Sequence, residues 1–246
     1  MSEASERINE LFSESARDVT PDSARHQARV LYAPIIRDVE VSRHCVSLLS
    51  DAELRKRARF AAECDKALFE QRRAFRRLCG ATALGSTQPL SEIVFEETEK
   101  GRPYLSESPD LWFSFSSCQS GLLGAWSSTH AIGVDLEDPT RNLEAKELAR
   151  QFFSVAEAEA VEEVIGPQRL RTFYRFWSLK EAALKSIGEG LPYGLEAFEF
   201  ELAPKLRVVH APPDDGGPER FSPYAIEGTD CCAALVNRTL LSVRPK

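Results

Sequence analysis

Several common signatures are missing from this chain of 246 residues. Its six cysteines, at 45, 64, 79, 118, 231 and 232, form no C-x-x-C pair, so no structural zinc site is expected. Neither G-x-G-x-x-G nor a P-loop occurs, which removes two frequent backbone cradles for nucleotides. No apolar run approaches the roughly 18 residues that cross a bilayer. The opening stretch, Met1 to Asp18, is polar and acidic. It lacks the basic start and apolar centre of a secretory signal, so a cytoplasmic protein without membrane contact is expected. Adjacent Cys231 and Cys232 point to opposite faces of a strand and are expected to stay free thiols, as in a reducing compartment. A net charge of −7 counts against a general nucleic-acid binder.

What is present suits a globular chain with a real core: 43% of residues are hydrophobic. Residues 1–26 lack sustained periodicity and read as a mobile tail, with one helical turn around Ile8–Phe12. A strand is predicted over Ala28–Ile36, while Val39–Leu49 is ambiguous. Ser50 and Glu53 form a capping box that opens a helix to about Arg59. A second helix, about Asp65–Gly80, carries Leu68, Phe69, Phe75 and Leu78 inward and arginines outward. Short strands follow at Ile93–Glu97, Leu111–Phe115, Leu122–Ser127 and Ala131–Leu136. Helices are predicted over Glu144–Phe152, Ala156–Val164 and Arg169–Ile187, then strands at Ala197–Leu202, Leu206–His210, Tyr224–Ile226 and Cys232–Val236. Alternating βαβ order is absent, so a doubly wound parallel sheet is not expected. Both halves run from helices into strands. The expected fold is therefore α+β with two similar lobes, over 27–138 and 139–246, meeting near Asp138–Thr140.

One helix concentrates the chemistry. In F-Y-R-F-W-S-L-K-E-A-A-L-K, Trp177, Glu181 and Lys185 stand at i, i+4 and i+8 on one face, with Lys180 beside them. Gly188, Gly190 and Pro192 close the helix. Alone, Glu181 and Lys185 read as a surface ion pair worth about 0.2–0.5 kcal/mol, and Trp177 as packing. In Gly133-Val134-Asp135-Leu136-Glu137, a strand puts Asp135 and Glu137 on one face. Two such acids suit Mg²⁺, which takes few protein carboxylates and completes its shell with water and phosphate. With Glu181 across a cleft, the set becomes a Mg²⁺–diphosphate site in which Arg102, Lys180 and Lys185 neutralise phosphate oxygens. Between Arg55 and Arg77, nine Lys/Arg face three acids. This segment is either a solvated helix face or a platform for a phosphate-bearing ligand or an acidic partner.

G-R-P (101–103), F-S-F-S (113–116), G-V-D-L-E (133–137), F-F-S-V-A-E (152–157) and the W-x-x-K-E-x-x-x-K helix occur in an order that resembles the 4′-phosphopantetheinyl transferases of the surfactin-synthetase type, over roughly residues 50–236. The resemblance implies two pseudo-symmetric α+β lobes with coenzyme A in the cleft between them. It implies metal ligands Asp135, Glu137 and Glu181, with Lys185 on the diphosphate. Gly101, Arg102 and Pro103 would border the adenine and 3′-phosphate, with Arg replacing a usual Lys. Arg59 and Ser116 would contact phosphate. Glu157 would act as base, with Lys180 nearby. Ser117 stands where the family commonly has a phosphate-binding His, which removes a potential cation. Ala67 and Leu68 stand where an Arg is often found; Arg72, Arg73 or Arg76 could compensate.

The implied reaction moves the phosphopantetheine arm of coenzyme A to a serine of an acyl or peptidyl carrier protein, with Mg²⁺, releasing adenosine 3′,5′-bisphosphate. Two lobes in one chain imply a monomer. Two rivals are a non-catalytic relative that grips a carrier or nucleotide, and a metal-dependent nuclease using the same acids.

Overall fold

A computed structural model describes residues 10, 15–140 and 143–240. In chain order the strands are β1 (Arg17–Asp18), β2 (Arg29–Pro34), β3 (Glu96–Glu97), β4 (Pro103–Tyr104), β5 (Trp112–Ser117), β6 (Gly121–Ser127), β7 (His130–Glu137), β8 (Glu199–Glu201), β9 (Arg207–His210), β10 (Phe221–Ala225) and β11 (Cys232–Thr239). The α-helices are α1 (Val39–Ser47), α2 (Asp51–Arg57), α3 (Glu63–Leu84), α4 (Ala145–Phe152), α5 (Val155–Glu163) and α6 (Pro167–Ser186). The α+β class expected from the sequence is the one observed.

Four strands form an antiparallel sheet in the order β1-β2-β6-β5, and three form another in the order β10-β11-β7. Alternating side chains give each sheet two distinct faces. On the four-stranded sheet, Phe113 and Leu122 pack under Ala74, Phe75 and Cys79 of α3. Its other face, with Val30, Tyr32, Leu123 and Ala125, shares a core with Ile132, Val134, Leu136 and Leu235 of the three-stranded sheet. The far face of that second sheet, with Ala234 and Val236, packs on Phe176, Leu179, Ala182 and Ala183 of α6. The layers therefore run helix, sheet, sheet, helix, a way of burying every apolar face. β7 precedes Asp138 in sequence yet pairs with β11 along its whole length, from His130 opposite Thr239 to Glu137 opposite Cys232. A division of the chain at Asp138 would part those two strands.

The layers come unusually close at one place. A Cβ on Gly133 would lie 1.9 Å from the carbonyl oxygen of Ala182 and 2.7 Å from the nitrogen of Ser186. Glycine in β7 thus lets the backbone of α6 rest directly on the strand.

Several local expectations differ from the fold. The ambiguous Val39–Leu49 stretch is helix α1, capped by the Asp38 side chain accepting from Glu40 and Val41 nitrogens. Ile93–Glu97 is mostly irregular, with strand only at its end, because a 3-10 turn at Leu90–Glu92 buries Leu90 and Ile93 first. Residues 17–24, assigned to the tail, include a strand paired with β2 and a fully buried Ala24; Asp18 is tied to Arg25 and Arg29. The turn expected around Ile8–Phe12 lies outside the described residues apart from Glu10.

Candidate active site at the face between β7 and α6

β7 and α6 supply the central side chains. Gly133, Asp135 and Glu137 share the strand face turned to α6, as their i, i+2 spacing predicts. Asp135 is 4% exposed. One of its oxygens, Oδ1, accepts from Lys185 Nζ at 2.7 Å and from Ser116 Oγ at 2.8 Å. The other, Oδ2, is buried with no hydrogen-bond partner. A buried carboxylate oxygen left unpaired is costly and marks a place built for a donor or a cation.

Lys185 also donates to the Val134 carbonyl at 3.1 Å, which fixes its ammonium at the strand. Glu181, one turn earlier on α6, is buried. Burial pushes its carboxyl above the usual range; Lys185 pulls it down and the Asp135 charge pushes it up again. Those mutual effects put Asp135, Glu181 and Lys185 in one electrostatic site. Glu137 follows at the end of β7, half-buried. Among the described residues no three His, Cys, Asp or Glu side chains group closely enough to hold a metal. Asp135, with its buried and unpaired Oδ2, and Glu181 nevertheless fit a hard cation of the Mg²⁺ kind. Such an ion is commonly held by one or two carboxylates plus phosphate and water.

β5 supports this arrangement from the other side. Ser114 Oγ accepts from the Val134 nitrogen at 2.9 Å, so Ser114 and Ser116 stitch two strands that belong to different sheets. Ser117 has its Oγ buried with no partner. The alternation turns it to the α3 side together with Phe113 and Phe115, which stack 6.2 Å apart.

A cavity of about 210 Å³ opens beside Glu181 and Lys185, and its wall includes Gly101, Arg102, Pro103 and Arg76. Arg102 lies over the Trp112 ring at 3.9 Å, a stacked cation with its guanidinium held in place. Gly101 adopts φ 83° and Gly188 φ 78°, turns that bring both loops to the cavity. Lys100 pairs with Glu189 across it, joining the loop before β4 to the end of α6.

A second cavity, about 600 Å³, lies under α2 and α3. It gathers Arg55, Lys56, Arg59, Arg73, Arg76 and Arg77 with Glu53 and Glu97. The Ser50–Glu53 capping box is formed in both directions, and Glu53 also takes Arg77 at 2.6 Å and Arg73 at 3.6 Å. Glu97 takes Arg76 at 3.2 Å. The basic segment is thus partly compensated from within. Arg55, Lys56 and Arg59 make no ion pair among the described residues. Arg76 belongs to the walls of both cavities; burial, with Arg73 nearby, lowers its pKa to about 10.

Glu157 and Lys180 stand elsewhere. Both side chains are fully buried and pair at 2.7 Å. Glu157 Oε2 also accepts from Ser154 N at 2.9 Å, closing a capping box, and Oε1 accepts from Phe200 N at 2.9 Å. Lys180 donates to the carbonyls of Leu195, at 3.1 Å, and Phe198. Burial depresses the Lys180 pKa, and Glu157 works against that shift. The sequence reading put this pair beside the transferring phosphate; the fold puts it in the core beneath α6, where it ties α5 and the chain before β8 to the helix. Trp177 packs as expected, edge-on to Phe152 and tilted on Phe173.

Sequence reasoning overlooked Gly133, Ser114 and Trp112. An isolated glycine inside a strand pattern signals close backbone approach, so Gly133 was readable. Ser114 and Trp112 act through partners on other strands, and no local pattern reveals those.

Residues 131–225 match the family model of the 4′-phosphopantetheinyl transferase superfamily. Among curated proteins, the chain is 36% identical over 118 residues to the 4′-phosphopantetheinyl transferase HetI of Nostoc sp., covering 46% of this chain and 48% of that protein. It is 32% identical to a putative 4′-phosphopantetheinyl transferase of Synechocystis sp., with 61% of each covered. It is 30% identical to the 4′-phosphopantetheinyl transferase Sfp of Bacillus subtilis, covering 56% of this chain and 60% of Sfp. The matches thus span about half to three-fifths of those relatives' lengths. The resemblance read from the sequence is shown by these matches, and the α+β fold agrees with it.

Proposed function

We propose that this chain is a 4′-phosphopantetheinyl transferase that moves the phosphopantetheine arm of coenzyme A to a serine of a carrier protein, releasing adenosine 3′,5′-bisphosphate. The observation that carries the reading is the orphaned, buried Asp135 Oδ2, on a carboxylate paired with Lys185, which with Glu181 and Arg102 lines one cavity. An acid with an unused oxygen, a second acid held above its usual pKa and two fixed cations suit a cation–diphosphate ligand better than they suit an empty protein.

The serine oxygen attacks the β-phosphorus of the diphosphate, the bond from that phosphorus to the bridging oxygen breaks, the bisphosphate leaves, and the serine proton passes to solvent. Lys185 and Arg102 supply fixed positive charge to the phosphate oxygens. Ser116 and Lys185 both hold Asp135 through Oδ1, which leaves Oδ2 unpaired. Asp135 and Glu181 would hold Mg²⁺, with Glu137 on the same strand face as the third candidate ligand; the ion supplies charge neutralisation on the diphosphate. The coenzyme reaches from the smaller cavity, lined by Gly101 to Pro103, towards the basic cavity with Arg59, and Arg76 stands in both walls. In this reading Glu157 and Lys180 position α6 and touch no reacting atom.

Further parts of the reading rest on the same geometry. A monomer is part of the reading, since segments 76–115 and 181–190 of a single chain already wall the cavity without a second copy. No described helix is long and apolar enough to cross a membrane. The six free cysteines suit a cytoplasmic setting.

The test is to incubate the protein with coenzyme A, Mg²⁺ and apo carrier proteins, and to weigh the carriers. A mass gain of one phosphopantetheine is expected; no gain on any of several carriers sinks the proposal. Nuclease activity that vanishes in Asp135→Ala would favour the nuclease rival instead.

A further inference from the structure

One cluster of reactive side chains takes no part in the site above. Cys118 directly follows β5, and Cys231 directly precedes β11. Their sulfurs stand 3.5 Å apart although they are 113 positions apart in the chain. Ser120 Oγ lies 3.1 Å from the first sulfur and 3.3 Å from the second. Both cysteines are half-buried, at the rim of the core that the two sheets share. The remaining cysteines lack this setting. Cys45, Cys79 and Cys232 are buried, and exposed Cys64 reaches Asp65 at 3.9 Å.

The turn between β5 and β6 also polarises one thiol. The hydrogen bond with Cys231, together with hydrogen bonds from the Ser120 side chain and the Ser120 and Gly121 backbone, brings Cys118 down to about 6. The same contact, with burial, pushes Cys231 up. One member is thus a ready thiolate near neutral pH and the other a thiol within reach, the arrangement of an attacking and a resolving cysteine.

We propose that Cys118 and Cys231 form an oxidant-sensitive site, which hydrogen peroxide converts to a disulfide that fastens the β5–β6 turn to the start of β11. The Cys118 thiolate attacks one peroxide oxygen, the O–O bond breaks, and the leaving hydroxide takes a proton to become water. Cys118 is then a sulfenic acid. The Cys231 sulfur attacks it, the S–O bond breaks, and a second water leaves with the Cys231 proton. Two thiols are oxidised by two electrons and one peroxide is reduced to two waters. Closing the sulfurs to about 2.05 Å draws together two strands of different sheets. It does so two residues beyond Ser116, the donor to Asp135, and one residue before Cys232, which stands opposite Glu137.

The proposal stands apart from the transferase reading and is tested without it. The reduced full-length chain is exposed to hydrogen peroxide, quenched with an alkylating agent and mapped by peptide mass. Expected are a loss of two hydrogens, a linked peptide pair containing Cys118 and Cys231, and reversal by dithiothreitol. The oxidised form should melt several degrees higher, because the bond closes a long loop in the unfolded chain. Cys231→Ser should stop at a sulfenic acid on Cys118 that dimedone captures, and Cys118→Ser should give neither product. Oxidation at Cys64 ahead of Cys118, a link between Cys231 and Cys232, or unchanged alkylation of Cys118 after peroxide would each overturn the proposal. The wild-type peptide map decides the matter even if a variant fails to fold.

Discussion

Lys180 and Lys185 stand little more than one turn apart on α6, and each meets a carboxylate at 2.7 Å. Around Lys180 every polar atom is spent: Glu157 is engaged at both oxygens and the ammonium reaches two carbonyls. Around Lys185 something is left over, since Asp135 keeps one buried oxygen unpaired and Glu181 is raised above its usual pKa. A saturated buried pair is structural, whereas an unsaturated one awaits a ligand. Fully paired buried charges contribute little net stability, yet removing one partner is expensive. The two pairs should therefore respond oppositely to mutation.

The largest effect is expected at the saturated pair. Lys180→Met leaves the Glu157 carboxylate buried beside two unpaired carbonyls and should cost about 3–5 kcal/mol in denaturant unfolding. Adding Glu157→Gln removes the stranded charge while keeping an acceptor for the Phe200 nitrogen, so the double variant should recover part of the loss. A single-variant cost below about 1 kcal/mol would break the contrast. Next in size is Gly133→Ala, whose methyl group would overlap the Ala182 carbonyl. Overpacking of this kind costs about 1–3 kcal/mol. Because relief requires α6 to lift from β7, activity should fall together with stability.

The sequence carried most of this contrast and failed at an instructive point. The i, i+4, i+8 stripe of α6 and the i, i+2 acids of β7 are local periodicities, so Asp135, Glu181 and Lys185 were legible before their convergence was visible. The α+β class and most helices were legible for the same reason. Lys180 was misplaced because helical spacing gives a direction round the axis but not what lies there; Leu195, Phe198 and Phe200, which bury it, come from a later segment. Glu157 carried a local signal, the capping box with Ser154, which already engaged it structurally. The pairing of β7 with β11 was not legible, since nothing local says which distant strand a strand will choose.

At the unsaturated pair the expected effects fall on activity. Asp135→Asn and Glu181→Gln should lower Mg²⁺-dependent transfer by roughly 100-fold without lowering the unfolding midpoint. Glu181 adds a pH signature. Its folded pKa is raised above the ordinary 4.5, so the folded state holds its proton longer than the unfolded chain does. Stability from this group is present below the unfolded pKa and is lost as pH rises from there through the folded pKa. Glu181→Gln removes that loss, so the variant should melt higher than wild type at neutral pH and the gap should close in acid. Mg²⁺ should raise the wild-type melting temperature and leave the variant unmoved. An equal Mg²⁺ shift in both proteins would mean that Glu181 holds no metal.

The smallest effect repeats the contrast within β5. Ser116 Oγ works on Asp135, while its neighbour Ser117 buries a hydroxyl without a partner on the opposite face. Ser117→Ala removes an unpaid polar burial and should stabilise the free protein by about 1 kcal/mol. Since Ser117 lines neither cavity, coenzyme A affinity should stay within about twofold, a shift under about 1 kcal/mol. Ser116→Ala should do the reverse: a midpoint close to wild type, and transfer slowed about tenfold because Asp135 Oδ1 keeps only Lys185 to orient it. Calorimetric unfolding and titration of coenzyme A on both variants separate the two serines. A weaker affinity in Ser117→Ala would move its hydroxyl from the idle class to the working one, and would give the residue that stands in place of a histidine a direct part in holding the donor.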